Sequence, residues 1–289
     1  MSIIERAVGL LDQRVQHDAL YPGSAAEPPA AARAAASAPY REAKESAKRA
    51  ELDQARHVID PERLRAQGMV TPDGGRTPIA EEFRIIKRPL IEHAFGGAGG
   101  RHANLIMVTS ALPGEGKTFC ALNLAISMAM ELDHTVLLVD ADVARPSLLD
   151  RLGLASEIGL LDLLHDSALD VADAMLRTSI DSFSILPAGQ AYRHATELLA
   201  SQAMTHLLND IASRYPERLI IFDSPPLLLT TESRVLASQM GQIVLVVEAG
   251  TTSQAAVKGA LRQLEGCASV SLLFNKSKAF IGGNEYGNY

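Results

Sequence analysis

A glycine-rich segment, "ALPGEGKT" at residues 111–118, constrains the fold of this chain more than any other feature. It follows an apolar run, "NLIMVTS", and leads into a stretch with helical periodicity, "GKTFCALNLAISMAMEL". The segment fits the phosphate-loop pattern G-x-x-x-x-G-K-[ST], with Ala111 in place of the first glycine. A strand, a glycine loop and a helix in this order present backbone N–H groups and a helix N-terminus to an anion. The segment therefore predicts a nucleotide-phosphate site.

Each part of this loop has an expected role. Gly114 and Gly116 let backbone N–H groups face the phosphates, Lys117 reaches the β- and γ-phosphates, and Thr118 binds Mg²⁺. The alternative is an ordinary strand–turn–helix connection with no ligand. The predicted nucleotide-contacting residues of the loop are Pro113, Gly114, Glu115, Gly116, Lys117, Thr118 and Phe119.

Three aspartates follow apolar runs elsewhere in the chain. Asp140 and Asp142 lie in "VLLVDADVARP", and Asp223 lies in "LIIFDSPP". The carboxyl ends of strands in a parallel sheet line the ligand crevice, where carboxylates hold Mg²⁺ or accept a proton. Helix capping is the alternative for each of them. Arg145, on the loop after Asp142, is assigned to phosphate, to an adjacent subunit, or to a plain surface role.

Further apolar runs alternate with helical stretches. "FSILPAG", "GQIVLVVEA" and "SVSLLFN" read as strands, and "PIAEEFRIIKRPLIEHAF" and "TSQAAVKGALRQLEG" read as helices. Apolar strands alternating with helices are typical of a parallel sheet that is covered on both faces. The sequence therefore predicts an α/β fold of the P-loop NTPase type, a mostly parallel twisted sheet with helices on both faces, plus a flexible N-terminal extension.

The chain divides into four predicted regions. Residues 1–17 form a short amphipathic helix, and 18–78 are an Ala/Pro-rich linker with a transitional segment. The packed domain covers 79–280, and 281–289 are a flexible tail that carries tyrosines. No apolar run reaches the ~18–20 residues that span a bilayer, and the N-terminus lacks the pattern of a signal peptide.

Charge and composition exclude some classes of function. With 27 basic and 34 acidic residues the net charge is −7, which gives no global attraction to nucleic acid. The two cysteines and eight histidines show no spacing typical of a disulfide framework or a metal site. We therefore expect no metal other than Mg²⁺.

Taken together, "SALPGEGKT", "VLLVDADVARP" and "LIIFDSPP" resemble the Walker A, A′ and B motifs of the bacterial tyrosine kinases (BY-kinases). "PAG" at 187–189 and "TELLAS" at 196–201 are similar to that family's linking segment. The N-terminal "MSIIERA", the "EEFRIIKRPL" segment and the tail resemble a narrower group, the exosortase-associated (XrtA-type) tyrosine autokinases of exopolysaccharide loci.

This resemblance implies an ATP- and Mg²⁺-dependent protein-tyrosine autokinase. Lys117, Asp140 and Asp142 are the implied catalytic residues; one of the two aspartates takes the tyrosyl proton, and the resemblance favours Asp140. Tyr286 and Tyr289 are the implied acceptors, phosphorylated by a neighbouring subunit, with Tyr21 and Tyr40 as alternatives. The implied ligands of Mg²⁺ are Thr118, Asp140, Asp142 and Asp223.

Two further sites follow from the resemblance. Asn275 corresponds to an asparagine that recognises adenine, although a loop-capping role is the alternative. The family's E-x-x-R-x-x-R helix, which packs subunits into a ring, reads here as Glu81, Arg84 and Lys87. Lysine lacks the bidentate fork of arginine, so ring assembly is in question, and a solvated helix face is the alternative.

The resemblance also implies a setting. It points to regulation of exopolysaccharide or capsule synthesis or export, with a membrane-spanning polysaccharide chain-length regulator as activator. The expected location is the cytoplasm, peripheral at the inner face of the plasma membrane through that partner. The alternative function is a Min/Par-type membrane-associated switch ATPase without kinase activity. That class carries a lysine at the start of its loop, where this chain has Leu112.

Overall fold

The computed structural model of the chain describes residues 56–73, 75–97 and 100–277. The predicted N-terminal helix, the linker as far as residue 55 and both tail tyrosines, Tyr286 and Tyr289, lie outside the described residues.

A twisted sheet forms the centre of the described region. The strands have the order β3-β4-β2-β5-β1-β6-β7, and every neighbouring pair is parallel except β3 with β4. Strands β1, β2 and β5 are buried along nearly their whole length, as expected when both faces of a sheet are covered. The strands are β1 (Leu105–Ser110), β2 (Thr135–Asp140), β3 (Leu176–Arg177), β4 (Phe183–Leu186), β5 (Arg218–Asp223), β6 (Gln242–Glu248) and β7 (Val270–Asn275).

Helices pack on both faces of this sheet. One hydrophobic core contains side chains from α1 to α4, and a second, on the other face, contains side chains from α5 to α10. The predicted α/β fold, with a mostly parallel sheet between two helical layers, is confirmed. The helices are α1 (Pro61–Ala66), α2 (Pro78–Phe95), α3 (Lys117–Ala129), α4 (Leu148–Leu152), α5 (Leu160–His165), α6 (Val171–Ala174), α7 (Ala195–Leu199), α8 (Gln202–Arg214), α9 (Glu232–Ala237) and α10 (Gln254–Gln263).

The packed region begins earlier than the sequence predicts. Packing was expected from Ile79, but Ile59, Leu64 and Val70 are already buried in the core with α2 and α3. The backbone N–H of Val70 also donates to Oδ1 of Asn123 at 2.6 Å. These apolar side chains are few and lack a long periodic run, so the segment resembles a linker in composition although each of them is buried.

Within the part of the chain that the structure describes, no helix combines the length and the apolar character that crossing a membrane requires.

The strand order brings distant parts of the chain to one edge of the sheet. Strand β5 lies between β1 and β2, and Asp140 at the end of β2 pairs in register with Asp223 at the end of β5. Residue Val108 of β1 pairs with Asp223 from the other side. The glycine-rich loop that follows β1 therefore lies beside both aspartates, at the carboxyl edge of the sheet.

Candidate active site

The glycine-rich loop has the backbone geometry of an anion cradle. Gly114 and Gly116 have φ angles of +84° and +95°, in the left-handed region that glycine adopts without a steric penalty. Helix α3 begins at Lys117, and its N-cap residue, Gly116, has no side chain to satisfy the first N–H groups. These N–H groups and the positive end of the helix dipole are arranged to bind phosphate.

Lys117 is the electrostatic centre of the site. Its ammonium nitrogen lies 2.6 Å from a carboxylate oxygen of Asp142 and 3.8 Å from one of Asp223. The hydroxyl of Thr118 lies 3.4 Å from the same nitrogen. The lysine is thus held among groups that the sequence assigned to phosphate and Mg²⁺, in a largely buried position.

Two buried aspartates have carboxylate oxygens without a hydrogen-bond partner. Burial, reinforced by the neighbouring Asp223, raises the pKa of Asp140 to about 7. Its Oδ2 accepts from the backbone N–H groups of Ser147 (3.2 Å) and Leu148 (3.3 Å), while Oδ1 has no partner. Burial also raises the pKa of Asp223 to about 6, against the lowering effects of Lys117 and of the nearby Thr118 hydroxyl. Neither carboxylate oxygen has a hydrogen-bond partner of good geometry.

These unpartnered oxygens fit a divalent cation. Buried polar atoms normally have partners, and a hard cation prefers carboxylate and hydroxyl oxygens. Thr118, Asp142 and Asp223 all lie within 4 Å of the Lys117 ammonium. Among the described residues no cluster of three or more His, Cys, Asp or Glu side chains is arranged to hold a metal ion alone. The donor set suits Mg²⁺ that also takes nucleotide oxygens and water as ligands, as is usual for this ion.

Asp142 and Asp140, the two candidate proton acceptors, line different cavities. Asp142 and Arg145 line a cavity of about 450 Å³ together with Lys117 and Gly114. Asp140 instead lines a separate cavity of about 190 Å³ on the side of Gly189. Both Lys117 and Asp142 are therefore open to the larger cavity, and Asp140 is not among the residues that line it.

A brace that the sequence did not predict holds the loop in shape. Glu115, assigned from the sequence to nucleotide contact, is buried and points back into the protein. Its Oε2 accepts from the backbone N–H of Leu112 at 2.6 Å, and its Oε1 accepts from the hydroxyl of Thr252 in the β6–α10 loop. The side chain of Glu115 therefore positions the loop and leaves phosphate contact to the backbone.

The end of β7 completes this brace. The side-chain amide of Asn275 donates to the backbone carbonyl of Glu115 at 2.9 Å, and the ammonium of Lys276 donates to the carbonyl of Gly114 at 2.7 Å. Asn275 thus lies against the phosphate loop, and the Oδ1 of its amide is left for another donor. A contact with adenine stays a prediction for this residue.

The three residues of α2 that were predicted to form a subunit interface differ in exposure. Glu81 and Arg84 form an exposed ion pair of 2.7 Å on α2. Lys87 is buried: its ammonium donates to the carbonyl of Ser127 at 2.5 Å and lies 2.6 Å from Glu131. The prediction that Lys87 lies on a subunit interface is therefore wrong, because its charge is used inside the chain. The two exposed residues stay interface candidates.

The structure therefore brings Thr118, Asp142 and Asp223 to Lys117, while Asp140 lines a separate cavity. It adds Thr252 and Lys276, which sequence analysis missed. Lys276 directly follows Asn275 and was detectable as a neighbour of a predicted site residue, whereas Thr252 contacts a residue 137 positions away and left no local signal.

A family model and several known proteins are similar in sequence to this chain. A family model described as an AAA domain matches residues 103–276. The tyrosine-protein kinase YwqD of Bacillus subtilis is 32% identical over 212 residues, which cover 73% of this chain and 86% of that protein. The succinoglycan biosynthesis transport protein ExoP of Rhizobium meliloti is 31% identical over 227 residues, which cover 76% of this chain but 27% of that protein.

The fold of the chain is also similar to that of a solved kinase domain. The crystal structure of the VpsO kinase domain superposes with a TM-score of 0.58 at 30% identity. The alignment covers 67% of this chain and 93% of that domain.

Proposed function

The chain belongs to the bacterial tyrosine-protein kinases, a family with an AAA domain, and on this premise we propose that it is an ATP-dependent autokinase. The acceptors are Tyr286 and Tyr289 of a neighbouring subunit. One observation carries the proposal: Lys117, at the mouth of a glycine loop and the start of α3, shares a cavity of about 450 Å³ with Asp142. Gly114 of the phosphate loop, the Lys117 ammonium and the Asp142 carboxylate, which can accept a proton, all line this cavity.

The residues of the chain perform separable tasks in this proposal. The N–H groups of the loop and the Lys117 ammonium bind the phosphates, and Thr118, Asp142 and Asp223 would hold Mg²⁺. When bound, the ion would supply neutralisation of the phosphate charge. Lys117 is paired with Asp142, so in this proposal a bound phosphate draws the lysine away and releases the carboxylate.

Transfer then needs little covalent chemistry from the protein. The phenolic oxygen of the acceptor forms a bond to the γ-phosphorus, the bond from phosphorus to the ADP oxygen breaks, and the phenolic proton passes to an aspartate. Asp142 is favoured by its position in the cavity of Lys117, and Asp140 by its raised pKa. Comparison of Asp142→Asn with Asp140→Asn at saturating Mg·ATP distinguishes them, because the proton acceptor is the residue whose replacement causes the larger loss of kcat.

The setting of this activity is also part of the proposal. The name of the relative ExoP, a succinoglycan biosynthesis transport protein, supports a role in exopolysaccharide or capsule synthesis or export. We place the chain in the exosortase-associated subgroup, with a membrane-spanning chain-length regulator as activator at the inner face of the plasma membrane. The Min/Par-type switch ATPase gains no support from Leu112, which provides no lysine at the start of the loop.

The direct test removes the acceptors. The variant Tyr286→Phe/Tyr289→Phe should lose nearly all phosphotyrosine when incubated with Mg·ATP, while Tyr21→Phe/Tyr40→Phe serves as the matched control and should keep it. Intact mass and peptide mapping read out the result. Full phosphorylation of the first variant would refute the tail as acceptor, and ATP hydrolysis without phosphotyrosine in any variant would favour the switch ATPase.

A further inference from the structure

Helix α4 lies between the candidate active site and α1, in the N-terminal part of the described chain. At its N-terminal end, the backbone N–H groups of Ser147 and Leu148 donate to Oδ2 of Asp140, at 3.2 and 3.3 Å. At its C-terminal end, two backbone carbonyls accept hydrogen bonds from Arg63 and Gln67, which lie 84 to 88 positions earlier in the sequence. The helix therefore connects the carboxylate of Asp140 to α1.

Arg63 makes most of the contacts at the C-terminal end of α4. Its Nε donates to the carbonyl of Arg151 at 2.8 Å, and its Nη2 donates to the carbonyl of Asp150 at 2.5 Å. Gln67 adds a hydrogen bond of 2.8 Å from its Nε2 to the Arg151 carbonyl. The guanidinium also packs against Gly153, where a Cβ would lie 3.1 Å from Nη1. A cation at this end of a helix satisfies carbonyls that have no partner within the helix and interacts favourably with its dipole.

Helix α4 is too short to determine its own position. It has five residues, and helices of this length are marginal without tertiary contacts. Leu148 and Leu152 pack into the core, but hydrogen-bonding groups at both ends of the helix find their partners outside it. The placement of the N–H groups that hold Asp140 therefore depends on the contacts that Arg63 makes at the opposite end.

Helix α1 provides a fixed base for Arg63. Leu64, the next residue, is fully buried in the core. The backbone N–H of Ile59, just before the helix, donates to Oγ of Ser179 at 3.1 Å. Arg63 is itself exposed, and among the described residues its side chain donates hydrogen bonds to the two carbonyls of α4 alone. A substitution at Arg63 therefore disturbs the contact with α4 and leaves α1 in place.

We propose that Arg63 is a positioning residue for phosphoryl transfer, acting through α4 on Asp140 and on the β2–α4 loop (residues 141–147) that carries Asp142; the inference rests on the kinase function proposed above. Displacement of α4 moves the N–H groups that hold Asp140 and moves the end of this loop. Misplacement of a reacting group by about 1 Å can slow a reaction about 100-fold. The phosphate loop has a separate brace, from Glu115 and the end of β7, so nucleotide affinity is independent of Arg63.

Steady-state kinetics of the full chain tests this role. Arg63→Met removes the donors and the charge, and we expect kcat for phosphotyrosine formation to fall about tenfold while the KM for ATP stays within about twofold of wild type. Arg63→Lys keeps the charge without the bidentate geometry and should lose no more than about threefold in kcat. The matched control is Arg65→Met, since Arg65 is an exposed arginine of α1 that pairs with Glu62 and Asp73 and not with α4. It should keep the kcat of wild type.

Amide hydrogen exchange measures the contact independently of activity. In Arg63→Met, the amides of residues 147–153 should exchange about tenfold faster than in wild type, and in Arg65→Met at the wild-type rate. Unchanged exchange in Arg63→Met would overturn the link through α4. Faster exchange with an unchanged kcat, or an equal loss of kcat in Arg65→Met, would overturn the positioning role while the kinase function holds. A wild-type chain that forms no phosphotyrosine would overturn the kinase function and the positioning role with it.

Discussion

The ammonium nitrogen of Lys117 lies 2.6 Å from a carboxylate oxygen of Asp142, in a cavity large enough for part of a nucleotide. This ion pair links the phosphate loop after β1 to the loop after β2. Under the proposed function, a bound phosphate would compete with Asp142 for the lysine, which would couple nucleotide binding to release of the carboxylate. The ammonium also offsets the repulsion between the carboxylates of Asp142 and Asp223.

Stability of the ligand-free protein should depend on the ionisation of Asp140. Its pKa is raised from 3.8 to about 7, so between these values the folded state binds a proton that the unfolded state releases. The contribution to stability is fully present below about pH 4 and is lost as the pH rises to about 7. Asp140→Asn should remove this loss and become more stable than wild type at neutral pH, by up to ~4 kcal/mol.

Urea unfolding from pH 4 to pH 8, without nucleotide or divalent cation, measures this difference. Asp133→Asn, at an exposed loop, controls for the loss of one negative charge. A wild-type protein that gains stability relative to Asp140→Asn as the pH rises would contradict the account of the buried carboxyl.

The brace between Glu115 and Thr252 should set the affinity for nucleotide. Thr252→Val removes the hydroxyl that donates to the carboxylate, and hydrogen bonds to charged groups contribute about 1.5–3 kcal/mol. We expect affinity for a fluorescent ATP analogue to fall about tenfold or more in this variant, while Thr252→Ser stays near wild type. Equal affinities in the two variants would show that the brace does not shape the loop.

Gly116 and Gly114 should respond differently to alanine. Both have positive φ angles, so each substitution adds backbone strain of about 1 kcal/mol. A Cβ at Gly116 would also lie 2.1 Å from Nδ2 of Asn275, whereas a Cβ at Gly114 meets nothing within 4 Å. The Asn275 side chain must turn away to admit this Cβ, so Gly116→Ala should weaken nucleotide binding by calorimetry more than Gly114→Ala does. The reverse order would contradict the contact between Asn275 and the loop.

Substitutions at two positions of α2 should have different effects, one on folding stability and the other on association. Lys87→Met leaves the carbonyl of Ser127 and the carboxylate of Glu131 without their partner, so we expect a loss of about 1–3 kcal/mol in unfolding free energy. Its oligomeric state by sedimentation velocity should match wild type. Arg84→Ala, at an exposed position, should instead weaken association with little change in stability. Dissociation caused by Lys87→Met at unchanged stability would restore Lys87 to the interface.

Local patterns were sufficient to predict the main elements. Helix α2 runs from Pro78 to Phe95, the limits that its periodicity predicted, because Thr77 caps it and the chain reaches Gly96 directly after it. The strands were recognisable because a sheet covered on both faces needs continuous apolar runs. The phosphate loop and its aspartates followed from the rule that carboxyl ends of parallel strands meet at one edge.

Contacts between distant segments were not predictable in this way. Thr252 reaches Glu115 across 137 positions, and only the strand order brings the β6–α10 loop beside the phosphate loop. The inward direction of Lys87 was available in principle. It lies four residues after Phe83 and three before Leu90, both buried, so helical spacing places it on their face. The interface motif predicted an exposed Lys87, whereas the helical spacing, which predicts a buried one, agrees with the structure.

Phosphotyrosine mapping of purified protein tests the central claim most directly. Wild type and Lys117→Met are incubated with Mg·ATP and mapped by intact mass and peptide sequencing, with Lys258→Met, an exposed lysine of α10, as the matched control. The account predicts phosphate on Tyr286 or Tyr289 in wild type and Lys258→Met, and none in Lys117→Met. Normal phosphotyrosine in Lys117→Met would contradict the proposed role of the phosphate loop in the kinase.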